Sequence, residues 1–313
     1  MRDTQAPSAV DQALLALLKR LDADGYDFVT PTPATHARVL ARPDRASGRT
    51  LRDILGWSLP FAAGEGPDWL VHLLQAAGLL QRDGERLKSA VRVSRLHGDL
   101  FVHSAYPTDQ QDAVFLGPDS YRFADFIARE LTGTERGPIL DIGAGAAVGA
   151  IVATRAAPGA RVIASDINPL ALRFARINAA HAGVTLDTLK SDGLEGAPEG
   201  LEIALANPPY MADSEQTYRD GGDLHGGQLS LDWTRAALPR LAPGGRLLLY
   251  TGSAIVDGRD RLRAGLEAVA GEAGAVLNYR EIDPDVFGEE LDSPAYADVE
   301  RIAVVGAVIS KPR

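Results

Sequence analysis

Asn207-Pro208-Pro209-Tyr210 closes the apolar run LEIALA at residues 201–206. Two successive prolines remove two backbone donors and fix two φ angles, so neither a helix nor a central ladder continues through them. The residue before a proline is pushed towards extended geometry, which holds the Asn207 amide in a constrained direction at a strand end. Tyr210 adds a flat, partly polar ring. Such a set can position a ligand; it can equally be a strand followed by a rigid turn. Other residues of the same kind decide between the two.

Three further apolar runs end in polar or glycine-rich tips. PILDIG leads into Asp141-Ile-Gly143-Ala-Gly145-Ala-Ala-Val148-Gly149. Its glycines permit a tight turn and close backbone approach to a ligand, but Val148 stands where a dinucleotide-binding G-x-G-x-x-G has its third glycine, which disfavours a dehydrogenase. RVIASDI ends at Asp166, placed to accept hydrogen bonds from both hydroxyls of a ribose, and Asn168-Pro169 opens the next helix. VTLDTLKSD ends at Ser191-Asp192. Four such tips in succession point to one ligand site.

The elements that carry them alternate. Helical patterns follow from Ala146, over NPLALRFARINAAHAG, near Leu229–Leu241 and up to about Gly274, with strands at GRLLLYTGSAI, VLNYREI and RIAVVGAVIS. This order predicts an α/β fold with an open, mainly parallel sheet covered by helices on both faces, whose ligands sit outside the carboxyl ends of the strands.

The chain has 313 residues, 45% of them hydrophobic and 24% charged, which suits a globular protein able to bury large cores. With no apolar run of about 18 residues and no signal pattern in MRDTQAPSAVDQ, the expectation is a cytoplasmic protein without a membrane span. There are no cysteines, and the six histidines form no helical i, i+4 pair beside a carboxylate, so no metal site is expected. Residues 1–105 carry a net charge of +1 and the remainder −11. The acidic bulk disfavours broad nucleic-acid binding.

With the four tips in place, the chain resembles class I S-adenosylmethionine-dependent methyltransferases. Within them it resembles the Asn-Pro-Pro-Tyr group that methylates planar nitrogens, on glutamine side chains of release factors and ribosomal proteins or on adenine and guanine. The resemblance spans residues 112–311 and includes YRDGGDLHGGQLS after the motif and AVFLGPDSYRFADFI before the first strand. It departs at Leu116-Gly117-Pro118-Asp119-Ser120, where the glutamine enzymes usually have Pro-Arg-Pro-Glu-Thr.

The resemblance implies a Rossmann-like seven-stranded sheet and S-adenosyl-L-methionine as cofactor. It implies that Asp141, Gly143 and Gly145 shape the cofactor's amino-acid pocket, Asp166 holds its ribose and Asp192 contacts its adenine. Asn207 and the Pro208 carbonyl would accept hydrogen bonds from the substrate's NH2, Pro209 would stiffen the turn, and Tyr210 would pack on the substrate plane. The acceptor expected is a side-chain amide or similar amine in a protein or small molecule. The alternatives are an amino group of RNA or DNA, and a catalytically inactive cofactor-sensing regulator.

The remaining part, residues 1–105, reads as a smaller α+β domain for substrate recognition or docking, with 106–313 as the methyltransferase domain. DQALLALLKRL is an amphipathic helix pattern, and residues 69–93 read as a helix, a break at Gly78 and a hairpin turning at Asp83-Gly84, which resembles a winged helix. Arginines at 38, 42, 45, 49 and 52 are the candidates for phosphate contacts.

Overall fold

The computed structural model describes residues 8–108, 110–212 and 220–313. Helix α1 (Ala9–Ala23) buries Leu14, Leu17, Leu18 and Leu21, an i, i+3, i+4, i+7 stripe, and Ser8 caps it by accepting from the Asp11 amide at 3.2 Å. Each of those leucines contributes about 1.5–3 kcal/mol of transfer free energy. Next come α2 (Pro33–Leu40), α3 (Leu51–Leu55) and α4 (Asp68–Ala76), then a hairpin of β1 (Leu80–Asp83) and β2 (Arg86–Ser89) that turns at Gly84-Glu85, one residue beyond the expected Asp83-Gly84, because Asp83 still pairs with Arg86. A second hairpin, β3 (Val91–Leu96) and β4 (Asp99–Ser104), follows.

The rest of the chain runs α5 (Pro118–Glu130), β5 (Ile139–Ile142), α6 (Val148–Ala156), β6 (Val162–Asp166), α7 (Pro169–Ala182), β7 (Asp187–Lys190) and β8 (Leu201–Ala206). It continues through α8 (Gln228–Ala237), β9 (Leu241–Val256), β10 (Arg259–Asp260), α9 (Arg261–Glu272), β11 (Val276–Asp283) and β12 (Arg301–Ser310). Seven strands lie side by side in the order β11-β12-β9-β8-β5-β6-β7, and the two-residue β10 pairs with β9 off that path. From β9 to β7 the pairing is parallel, while β12 is antiparallel to both β9 and β11. The chain steps outward from β5 to β6 and β7, then returns to β8 on the other side of β5. That reversal opens a crevice above the carboxyl ends of β5 and β8.

Helix boundaries follow local chemistry. Helix α7 starts where Asn168 accepts from the Leu170 amide, has Pro169 in its first turn, and stops at Gly183 with φ +68°. Helix α6 begins at Val148 rather than Ala146, because Ala147 takes a left-handed conformation with φ +62°.

One apolar core joins α1, α4, the β3–β4 hairpin and α5 to one side of the sheet, and a second fills the other side between the sheet, α8 and α9. Polar ties join α7 to α1 and β4. Asn178 of α7 accepts from the Val102 amide at 2.8 Å and donates to its carbonyl at 3.1 Å, and Arg173 pairs with Asp11 at 2.7 Å. Among the described residues no helix is long and apolar enough to cross a membrane.

Candidate functional site

The Gly143–Ala147 turn reverses the chain between β5 and α6. Gly143 and Gly145 have φ of +64° and +53°, a region glycine enters at no steric cost. At Gly143 a Cβ would also lie 2.7 Å from the Trp233 ring, so this position excludes a side chain twice over. The third glycine of a dinucleotide fingerprint serves close helix–strand packing, and here Gly149 does so one residue later. A Cβ there would lie 2.8 Å from both Asp141 Oδ2 and Phe123.

Asp141 is buried at the end of β5, and Oδ2 accepts from the Ala150 amide at 2.8 Å. Burial pushes its carboxyl up to about 7; the Ala150 hydrogen bond opposes this and the nearby Asp166 charge adds to it. Asp166 at the tip of β6 accepts from the amides of Gly145 (2.9 Å) and Asn168 (2.8 Å), locking the first tip to the second. Its carboxyl is also raised, by burial. Beyond β7, Ser191 donates to the carbonyls of Gly193 (3.0 Å) and Glu195 (2.6 Å), which shapes the turn that exposes Asp192.

At the tip of β8, Asn207 is half-buried and Pro208 buried. Among the described residues neither the Asn207 side chain nor the Pro208 carbonyl has a hydrogen-bond partner. Tyr210 is 8% exposed. Its ring lies so close to Gly252 that a Cβ there would come within 2.3 Å of it, and the Phe287 ring meets it edge-on at 6.1 Å. The Tyr210 hydroxyl lies near Asp119 without reaching hydrogen-bond geometry. Asp119 accepts from Tyr250 at 2.9 Å. Burial raises the pKa of all three groups.

All nine residues singled out in the sequence, Asp141, Gly143, Gly145, Asp166, Asp192, Asn207, Pro208, Pro209 and Tyr210, line one cavity of about 990 Å³. That is the upper end of the usual range for small-molecule sites, about 300–1,000 Å³, and leaves space for a second group beside a nucleotide-sized ligand. Several of its walls carry no local sequence signal. Trp233 lies under Gly143 and Gly193, Phe287 stands beside Tyr210, Pro33, Ala34 and Ala37 reach in from the amino-terminal part, and Tyr106 joins them from the start of the catalytic part. Phe287 has φ +54°, unusual for a bulky residue, and no local pattern announces it.

The arginines proposed for phosphate contacts divide. Arg45 pairs with Asp53 at 2.9 Å, and Arg52 donates to the Asp27 carbonyl at 2.8 Å while lying over Phe28. Arg38, Arg42 and Arg49 are exposed. Of the glycine-rich segment, Tyr218 and Arg219 lie outside the described residues.

Residues 112–259 match the family model described as Methyltransferase small domain. The release factor glutamine methyltransferase of Deinococcus radiodurans is 29% identical over 217 residues, 66% of this chain and 74% of that protein. Its namesake from Cereibacter sphaeroides is 37% identical over 166 residues, 49% of this chain and 56% of that protein. Ribosomal RNA small subunit methyltransferase C of Pseudomonas aeruginosa is 32% identical over 117 residues, 37% of this chain and 32% of that protein. The match thus spans less than two thirds of the latter two relatives. Among solved structures, Trm5b from Pyrococcus abyssi superposes with a TM-score of 0.52 over 75% of this chain and 62% of that one. TYW2 from M. jannaschii in complex with AdoMet gives 0.50 over 72% and 90%. Both are 14% identical and bear on the fold alone.

Proposed function

We propose that this chain, a class I S-adenosylmethionine-dependent methyltransferase, transfers the methyl group to the planar nitrogen of a side-chain amide or similar amine, carried by a protein or small-molecule acceptor. The observation that supports this best is the pair of uncommitted acceptors, Asn207 Oδ1 and the Pro208 carbonyl, on the wall of a cavity that the cofactor would share. The names of the release factor relatives point the same way.

The walls fit the cofactor. The left-handed turn at Gly145 leaves its Cβ position open, with no atom nearer than the Phe115 carbonyl at 3.9 Å, so a ligand can lie directly on the backbone there. Asp166 keeps lone pairs for ribose hydroxyls, the exposed Asp192 carboxylate suits an amino group on adenine, and Asp141 with Gly143 and Gly145 forms the amino-acid end. When bound, S-adenosylmethionine supplies an electrophilic methyl group on a sulfonium leaving group.

The chain's own part is positioning and electrostatics. An amide or aryl amine nitrogen is a poor nucleophile because its lone pair is delocalised. Two acceptors on its hydrogens favour a pyramidal nitrogen and hold its lone pair on the transfer line. Tyr210, set at its angle by Gly252 and Phe287, gives the planar group a wall to lie against. Proline at 208 and 209 stiffens the turn so that little of this geometry must be organised during reaction.

Residues 1–105 are proposed as the part that docks the acceptor beside the catalytic part at 106–313. Their contribution of Pro33, Ala34 and Ala37 to the cavity supports this, and the order of α4, β1 and β2 supports a winged-helix relationship. The deciding experiment follows labelled methyl from S-adenosylmethionine into a cell extract separated into protein, RNA and small molecules, with Asn207→Ala as control. Label in protein or small molecules that vanishes in the variant, with cofactor affinity kept, is the expected outcome. Label confined to RNA would overturn the acceptor assignment, and wild-type turnover in Asn207→Ala would overturn the role of Asn207.

A further inference from the structure

The two prolines that stiffen the turn also strip it of anchors. Pro208 and Pro209 have no amide hydrogen, so no donor of their own ties them to the fold. The turn must be secured further along, and the structure shows how. The Ala212 amide donates to the Tyr296 hydroxyl at 2.8 Å. Tyr296 is 2% exposed and sits on a 3-10 turn, Pro294–Tyr296, in the connection between β11 and β12. The same hydroxyl lies 3.7 Å from Met211 Sδ and 3.5 Å from the His225 carbonyl.

From the other side the glycine-rich segment presses backbone against backbone. Gly221 donates to the Met211 carbonyl at 2.9 Å. A Cβ at Gly221 would lie 2.7 Å from the Pro209 carbonyl oxygen, and one at Gly226 would lie 2.3 Å from that of Tyr210. Leu224, His225 and Gly226 have φ of +58°, +53° and +90° in succession. Two non-glycine residues in this region are strained and persist only where the surroundings impose them. The restraint here is the His225 Nε2–Asp298 Oδ1 contact of 2.9 Å, which ties the segment to the same β11–β12 connection.

We propose that Tyr296 is a positioning residue for methyl transfer: through the Ala212 amide it fixes the carboxyl end of the Asn207–Tyr210 turn, and the His225–Asp298 pair holds the glycine-rich segment against that turn. Asn207 Oδ1 and the Pro208 carbonyl thereby stay aimed at the transfer point. The inference rests on the nitrogen-clamp reading above, and its test separates the two.

The test needs no acceptor. Calorimetry on the full chain compares S-adenosylhomocysteine, which lacks the methyl group, with sinefungin, in which a protonated amine stands at the methyl-transfer point. Two acceptors facing that amine make the wild type prefer sinefungin, and Asn207→Ala reduces the preference by about tenfold or more, the range for losing a hydrogen bond to a charged group. Tyr296→Phe keeps the ring in its packing and removes the oxygen. It should leave S-adenosylhomocysteine affinity within about twofold and lower the sinefungin preference by roughly threefold to tenfold, part of the clamp's hydrogen-bond worth. His225→Ala, which loosens the same clamp from a more exposed side, should move the preference the same way by less.

An unchanged preference in Tyr296→Phe beside a reduced one in Asn207→Ala would sink the Tyr296 inference and leave the clamp standing. Equal weakening of both ligands in Tyr296→Phe would assign the residue to folding alone and overturn the inference. A wild type with no preference, unaffected by Asn207→Ala, would remove the clamp and the inference with it.

Discussion

With Asp141 proposed at the cofactor's amino-acid end, cofactor binding should depend on pH in a calculable way. Its carboxyl is buried and raised to about 7, with Asp166 nearby and raised as well. A carboxyl above its unfolded value favours the protonated fold, so the Asp141 contribution to stability is present below pH 3.8 and lost as pH rises through 7. The bound cofactor carries a sulfonium and an ammonium group, which favour the carboxylate, so binding at low pH must expel a proton. At pH 5.5 that costs about 1.5 pH units, or ~2 kcal/mol, a factor of about 30 in affinity relative to alkaline pH.

Titration calorimetry with S-adenosylhomocysteine, whose ammonium remains, between pH 5 and 8.5 in buffers of different ionisation heat reads both affinity and proton release. Asp141→Asn retains an oxygen for the Ala150 amide and carries no charge. It should bind more weakly at pH 8 and lose most of the slope below pH 7. Wild-type affinity that is flat from pH 5.5 to 8, or an Asp141→Asn variant with an undiminished slope, would refute the reasoning.

Gly143→Ala places a Cβ against Trp233 in a left-handed position that itself costs about 1–2 kcal/mol, so both cofactor affinity and the melting temperature should fall; an unchanged melting curve would contradict the geometry. His36, lowered to about 4 mainly by burial, and His103, fully buried and lowered well below its usual value, stay neutral in the fold while the unfolded chain protonates below 6.5. The contribution of the two histidines to stability should therefore drop from pH 6.5 towards 4, against the opposite trend from Asp141, and His103→Gln should be more stable relative to wild type at pH 4.5 than at pH 7 in urea titrations. If nucleic acid were the acceptor, its binding would fall steeply with salt, with Arg38, Arg42 and Arg49 setting the slope. We expect a shallow slope that replacing all three leaves unchanged, and a steep one that flattens on replacement would favour the nucleic-acid alternative.

The strand tips were legible because their signals are local. Asp141, Gly143, Gly145, Asp166, Asp192 and Asn207 each end a run whose apolar character marks a buried strand, and parallel topology gathers such ends on one edge. Helix α7 could be delimited to the residue from Asn168-Pro169 and Gly183, which act on their own backbone. Phe287, Tyr296 and Trp233 left no comparable trace. Each matters through a partner 77, 84 and 90 positions away, at Tyr210, Ala212 and Gly143 respectively, and neither periodicity nor turn chemistry reports a pairing at that distance. Ala37 and Tyr106 were hidden for the same reason, since an exposed alanine on a short helix looks like surface until the cavity beside it is seen.

The apolar core that α1, α4 and the β3–β4 hairpin share with one side of the sheet has a thermodynamic consequence. Parts joined by a common core and by buried ties such as Asn178 to Val102 lose their order together, so heat or denaturant should melt the chain in one cooperative transition rather than two. A ligand at the strand tips then lends its binding free energy to the whole unit. Amides as remote as that of Arg95, bonded to the Phe28 carbonyl at 2.8 Å, should exchange their hydrogens more slowly once the cofactor is bound, although the cofactor never touches them.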